Sequence, residues 1–319
     1  MNLRAGAAVG SIVLLAACSN SSPSAFVPGD ASGQSIAASQ ASLLNSDARP
    51  ARARVLYIGD LDGQPGVGQV HVYTAGMKNP HQIGLITNGT GRPFGLWVDD
   101  RNYFYIANEA DKYQPSVTAF KPGASSPFFT ITNVKGQPAS VAVDAQHNVY
   151  VNESVQDEGW VQVFAPGSNT PLRSIDTGVG GYAFDAGSMA FDPQGNLIVA
   201  EQAKLALHVV KIAPGSSIAT PMNLNLTNIT GPGLGIDKAG NMYIASSSSA
   251  TVSVFPAGQT QASRTVSSVP AYGLTWVTPQ GAVYQASGEY TVTEIAPGAN
   301  SPTATINCTC SAQGVAVSK

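Results

Sequence analysis

The chain has 319 residues, of which 11% are charged and 43% apolar, with 33 Gly and 21 Pro. This charge-poor, turn-rich composition excludes a mostly helical enzyme. The net charge of −3 leaves no electrostatic footprint for nucleic acid, and 3 Cys are too few for a disulfide-framework scaffold.

Residues 1–17 open with Asn2, Leu3 and Arg4 and then run apolar from Ala5 to Ala17, apart from Gly10 and Ser11. A bilayer span needs about 20 apolar residues, so this stretch reads as a removable secretory signal. Leu15, Ala16, Ala17 and Cys18 resemble the lipobox of bacterial lipoproteins. The resemblance implies cleavage before Cys18 and lipid on its thiol. Several acyl chains, at about 0.8 kcal/mol per buried methylene, would hold the chain firmly on the membrane. Ser19 stands where, in that family, an Asp favours retention at the inner membrane, which points to the outer membrane of a bacterial cell envelope. Residues 18–50, rich in Ser, Ala, Gln and Asn, read as a disordered tether. A flexible coil of that length reaches roughly 30 Å.

From residue 51 the chain repeats itself. A corner glycine recurs as Gly76, Gly123, Gly167, Gly215, Gly258 and Gly298, at spacings of 40 to 48 residues. A second motif keeps the same phase: Leu96-Trp97-Val98-Asp99, Val141-Ala142-Val143-Asp144, Met189-Ala190-Phe191-Asp192, Leu234-Gly235-Ile236-Asp237 and Thr275-Trp276-Val277-Thr278. Six residues after each Asp or Thr comes Tyr105, Tyr150, Ile198, Tyr243 or Tyr284. Each unit reads as four short antiparallel strands, the first two joined by a tight turn. In that turn Asp144, Asp192 and Asp237 bond the backbone, and Gly195, Gly240 and Gly281, or Asn102 and His147, take positive φ.

Six such units over residues 51–319 predict an all-β, six-bladed β-propeller. Gly314-Val315-Ala316-Val317-Ser318 repeats the first-strand pattern, whereas Val55-Leu56-Tyr57-Ile58 is a second strand with no first strand before it. The two ends are therefore expected to complete one blade together and close the ring, removing exposed sheet edges.

The pattern Gly-Leu-x-Val-Asp-x-x-Gly-Asn-x-Tyr-x-Ala resembles NHL-repeat propellers and, more distantly, the gluconolactonase group. The best matches are Asp192-Pro193-Gln194-Gly195-Asn196 and Asp237-Lys238-Ala239-Gly240-Asn241. In the gluconolactonase group a divalent metal is held by a Glu and an Asn at first-strand starts and an Asp at a second-strand end. The first-strand starts here, among them Pro93-Phe94-Gly95 and Pro138-Ala139-Ser140, carry neither that Glu nor that Asn.

Candidate ligand-binding residues come from counting three positions past each Tyr or Ile anchor, to the face where second strands end. This gives Asp60, Asn108, Glu153 and Glu201, followed by Ser246 and Ser287, with Asp62, Asp111, Asp157 and Glu158 in the loops above. Two readings stand: strand ends that are polar because they meet water, or an acidic arc that holds a polar ligand or a hard cation such as Ca²⁺. As metal ligands the candidates are Asp60, Glu153 and Glu201; no catalytic residue is assigned. His71, His81, His147 and His208 show no metal spacing, and His147 reads as a turn residue. Cys308 and Cys310 lie too far apart for a bridge if they sit on a regular strand, so a disulfide between them requires a local turn; two free thiols are the alternative.

Function divides into two readings. The first is a monomeric, membrane-tethered cell-envelope module that binds an unidentified polymer, peptide or protein. The alternative is a metal-dependent hydrolase or lyase of gluconolactonase type.

Overall fold

The computed structural model describes residues 54–319 except 62–67, 77–78, 110–113, 157, 181–186, 204–205, 227–230 and 232. The signal, Cys18 and the tether lie outside the described residues, as do the loop acids Asp62, Asp111 and Asp157. Among the described residues, no helix is long and apolar enough to cross a membrane.

Six four-stranded antiparallel sheets form the blades. Blade 1 holds β1 (Arg54–Asp60), β2 (Gln69–Ala75) and β3 (Gln82–Ile86). Blade 2 is β4 (Arg92–Val98), β5 (Phe104–Glu109), β6 (Ser116–Phe120) and β7 (Phe129–Ile131). Blade 3 is β8 (Gln137–Val143), β9 (Val149–Val155), β10 (Glu158–Phe164) and β11 (Pro171–Gly180). Blade 4 is β12 (Met189–Phe191), β13 (Leu197–Ala203), β14 (Ala206–Ile212) and β15 (Ala219–Pro221). Blade 5 is β16 (Leu234–Ile236), β17 (Met242–Ser246), β18 (Thr251–Phe255) and β19 (Arg264–Ser267). Blade 6 is β20 (Thr275–Val277), β21 (Val283–Ala286), β22 (Thr291–Ile295) and β23 (Ala304–Asn307), after which β24 (Ala312–Val317) returns to blade 1.

Packing explains the apolar runs. Each blade is covered on both faces by its neighbours, so a second strand such as β17 is buried at every residue rather than at alternate ones. The first strands, β4, β8, β12, β16, β20 and β24, contact one another in succession around the axis.

The first-to-second-strand turns follow the predicted chemistry. Asp144 Oδ1 accepts the amides of Gln146 and Asn148 at 2.9 and 2.8 Å, and Asp192 and Asp237 repeat the pattern. The turn ends at positive φ on Gly195, Gly240 and Gly281, and on Asn102 and His147 at 62° and 64°. The six corner glycines all have φ between 68° and 77°, which an L side chain tolerates poorly.

The ring closes as expected. β24 pairs antiparallel with β1, setting Leu56 opposite Val317, Tyr57 opposite Ala316 and Ile58 opposite Val315. Ser318 donates its amide to the Val55 carbonyl at 2.8 Å, and Val55 donates to Ser318 Oγ at 2.8 Å. Just before β24 the chain leaves strand geometry, so the Cα atoms of Cys308 and Cys310 approach to 5.2 Å and the two are joined by a disulfide. So small a covalent loop constrains the unfolded chain by only about 1–2 kcal/mol, which makes this bridge a local pin.

Ending the chain at Gln313 removes four of the five register partners that β24 gives β1 and opens an edge in blade 1. Thermal unfolding followed by circular dichroism is expected to show no cooperative transition for that variant, whereas Cys308→Ser should keep a cooperative melt with a midpoint only a few degrees lower.

Candidate functional site

The residues of the acidic arc are engaged within the fold. Asp60, Asn108, Glu153 and Glu201 are each buried, at 2%, 2%, 0% and 1% exposure. Three of them do the same work at the same place in successive blades. Asp60 Oδ1 accepts the Ser311 amide at 2.9 Å, Asn108 Oδ1 the Gly91 amide at 2.9 Å, and Glu153 Oε2 the Gly136 amide at 2.5 Å. Each of those amides belongs to the segment that crosses from the preceding outer strand onto the first strand of the same blade. An amide on such a crossover lies outside any strand ladder and needs an acceptor, and the second-strand end supplies it. Asp60 Oδ2 further accepts from Gln69 at 3.0 Å and lies 3.4 Å from His71 Nε2. Ser287 accepts from the amides of Glu289 and Thr291, closing its own hairpin loop. Glu158, in the loop above, is exposed at the start of β10.

Glu201 is turned into the seam between blades 3 and 4. Its Oε1 accepts from Asn152 Nδ2 at 2.6 Å, and its Oε2 lies 2.6 Å from Thr177 Oγ1. Thr177 also donates to the Gly159 carbonyl at 2.9 Å. One hydroxyl hydrogen cannot serve both acceptors. A protonated Glu201 resolves this by donating to Thr177 and leaving the Thr hydrogen for Gly159. Burial accordingly raises the Glu201 carboxyl to about 7, against the lowering effect of Thr177 and Asn152 and with a further push from the Asp176 charge. Glu153 is also raised to about 7 by burial, opposed by the amides of Gly136 and Lys135 and by the Lys135 charge. Asp60, Glu153 and Glu201 are not among the donor groups that the described residues bring within 4.8 Å of one another.

A cavity opens at the other end of the axis. A volume of about 730 Å³ lies among the first strands and the Asp turns that follow them, within the range of sites for small ligands. Its wall carries aromatics from alternate blades: Trp97 of blade 2 packs edge-on to Trp276 of blade 6 and to Phe191 of blade 4, with centroids 5.1 and 6.4 Å apart. Phe191 in turn meets Tyr150 at 5.2 Å. The hydroxyls of Ser140 and Ser188, also in the lining, and the indole N–H of Trp97 are buried without a hydrogen-bond partner. Asp99, Asp100, Arg173, Lys238 and Lys319 surround them.

The sequence signal that could have found this cavity is the bulk of Trp97 and Trp276 at a position where other units carry Ala142, Ala190, Gly235 and Ala316. Large rings on two first strands must meet near the axis of a ring that the other blades leave lightly filled.

No family model matches the chain, and no curated protein does. Solved structures match its fold. A nidogen/laminin complex aligns with a TM-score of 0.67 and 13% identity, covering 83% of this chain and 98% of the matched one. A protein of unknown function from Bacteroides caccae gives a TM-score of 0.60 and 12% identity over 83% and 98% of the two chains. A putative 6-phosphogluconolactonase from Bacteroides fragilis gives 0.57 and 13% over 86% and 100%. At these identities the likeness is one of fold alone.

Because both buried carboxyls have raised values, the folded state holds more protons than the unfolded state between about 4.5 and about 7. Their linkage therefore makes stability fall as pH rises through that window, by roughly 1 kcal/mol per pH unit where a group differs fully in protonation. Glu201→Gln can keep both hydrogen bonds, accepting from Asn152 and donating to Thr177, without titrating. Urea melts from pH 5 to pH 8 should show a shallower decline for this variant and a midpoint at pH 8 at or above that of the wild type. A parent decline that Glu201→Gln leaves unchanged would contradict the assignment.

Proposed function

We propose that the protein is a lipid-anchored binding module of the bacterial cell envelope whose axial cavity takes a polar, acceptor-bearing ligand with an apolar face. The observation that carries this reading is the wall of that cavity: aromatic faces from three alternate blades beside three buried donors, Trp97 Nε1, Ser140 Oγ and Ser188 Oγ, that no protein group accepts. Buried donors without partners are rare in folded proteins, and a small rotation of these side chains toward the cavity would let a ligand carbonyl or hydroxyl accept from them. Aromatic faces add apolar area without fixing one hydrogen-bond pattern. The lipobox-like Leu15-Ala16-Ala17-Cys18 and the tether after it support attachment to a membrane at a reach that leaves the propeller free of the lipid surface.

The hydrolase alternative has less support, because the acids it relies on are engaged by backbone amides and neighbouring side chains in the seams between strands and blades, with only Glu153 Oε1 left buried without a partner.

Two of the three Trp, Trp97 and Trp276, line the cavity, so intrinsic fluorescence reports its occupancy. A panel of mono- and oligosaccharides, short peptides and organic acids is expected to contain ligands that shift the emission and protect it from acrylamide quenching. Trp276→Ala should weaken the best of them by roughly 30-fold, as for a buried aromatic anchor. A panel without any such ligand, or unchanged affinity in Trp276→Ala, would refute the cavity as the site. For the anchor, Cys18→Ser should abolish incorporation of labelled palmitate and move the protein from the membrane to the aqueous fraction.

A further inference from the structure

Two departures from the repeat meet at the rim of the axial cavity. In blades 3, 4 and 5 the second oxygen of the turn aspartate is taken by an asparagine four residues later: Asn148 to Asp144, Asn196 to Asp192 and Asn241 to Asp237, at 2.7 to 2.8 Å. In blade 2 that position is Tyr103. Asp99 keeps the backbone half of the turn, its Oδ1 accepting the amides of Arg101 and Tyr103 at 2.9 and 2.8 Å. Its Oδ2, on a side chain only 2% exposed, lacks the asparagine amide and meets no donor at normal hydrogen-bond geometry, the Tyr105 hydroxyl being the neighbour that faces the carboxylate.

The second departure is in the adjacent blade. At the turn position where blades 4, 5 and 6 carry Gly195, Gly240 and Gly281, blade 3 carries His147 at φ 64°. Its Nδ1 is likewise buried without a hydrogen-bond partner. That nitrogen lies 3.8 Å from Asp99 Oδ2 and 3.8 Å from Asp100 Oδ1, and the three donor atoms all fall within 4.8 Å of one another.

We infer that Asp99, Asp100 and His147 form a binding site for a divalent transition cation of the Zn²⁺ type. Separations of 3.8 Å are too long for hydrogen bonds between the groups. They are close to the roughly 3.3 Å that separates ligands on a tetrahedral ion with bonds of about 2.0 Å. One imidazole and two carboxylates suit a borderline ion such as Zn²⁺ better than Ca²⁺, which takes six or more oxygens. Three protein ligands leave a coordination position open, and Asp99 and Asp100 both line the cavity, so an ion held there stands beside any molecule that enters it.

The competing charge is Arg101, whose Nε is 3.7 Å from Asp99 Oδ2. The guanidinium also lies over the Tyr103 ring at 5.0 Å, and its side chain is 49% exposed, so it can swing into solvent when a cation arrives. The site does not depend on the proposed ligand of the cavity; an ion can bind whether or not that reading holds.

The test is calorimetry and equilibrium dialysis of the full chain, stripped with chelator and carrying Cys18→Ser so that no thiolate competes, against Zn²⁺, Ni²⁺, Ca²⁺ and Mg²⁺ each added alone. One Zn²⁺ per chain is expected, bound much more tightly than Ca²⁺ or Mg²⁺. His147→Gly, which the turn accepts in three other blades, and Asp100→Ala, at a side chain 57% exposed, should each weaken Zn²⁺ by tenfold or more, since even partners outside the ligand set are worth about 10–100-fold. Tyr103→Asn restores the amide that engages the aspartate in the other blades and should weaken Zn²⁺ too, with no ligand removed. No stoichiometric Zn²⁺, or affinity unchanged in both His147→Gly and Asp100→Ala, overturns the site. Should His147→Gly fail to melt cooperatively, Asp100→Ala decides.

Discussion

Everything in this molecule depends on one pairing between residues some 260 positions apart in sequence, β24 against β1. Twisted antiparallel sheets of four strands each have two apolar faces, and those cannot be left in water. Radial stacking covers the faces. Closure of the ring is what makes that stacking complete, because the blade built from both chain ends is packed only if both ends arrive. The hydrogen bonds between Val55 and Ser318 and the disulfide just before β24 are placed at this joint.

A second constraint follows from the first. Six blades require six crossovers from an outer strand to an inner one, and those leading into blades 1, 2 and 3 carry backbone amides outside any ladder. The polar ends of the second strands meet that need, with Asp60, Asn108 and Glu153 each accepting from the crossover of its own blade. Glu201 instead joins Asn152 and Thr177 across the seam between blades 3 and 4, and burial holds its carboxyl in the proton-bearing range near neutrality. Charge is scarce in this chain, and part of it is used inside the ring rather than at a mouth.

The two sites proposed for this chain lie where the repeat is broken. The turns that repeat faithfully, at Asp144, Asp192 and Asp237, satisfy both carboxylate oxygens locally and have little left to offer. The turn that departs, at Asp99, leaves an oxygen facing a histidine that has itself replaced a glycine. The axial aromatics are departures of the same kind, Trp in two blades where others carry Ala or Gly. A repeat unit optimised for stacking has no reason to vary at these positions, so variation there is where chemistry specific to this chain is to be sought.

The sequence by itself determined the architecture: two motifs in constant phase, turn residues whose side-chain chemistry admits one backbone geometry, and two chain ends of which one lacked a first strand and the other supplied it. It also located the buried second-strand polar positions, because their spacing from the Tyr anchor is constant, but it could not say which way they pointed. A strand end places a side chain toward a mouth or into a seam according to twist and neighbour packing, and those are properties of adjacent blades. For the same reason the histidine at residue 147 read only as a turn residue: its partners, Asp99 and Asp100, are more than 40 positions away and belong to another turn. Tertiary structure alone decided that the two turns face each other across neighbouring blades, and that the open cavity lies at the end of the axis away from the second-strand acids, because only the closed ring fixes which side chains share a space.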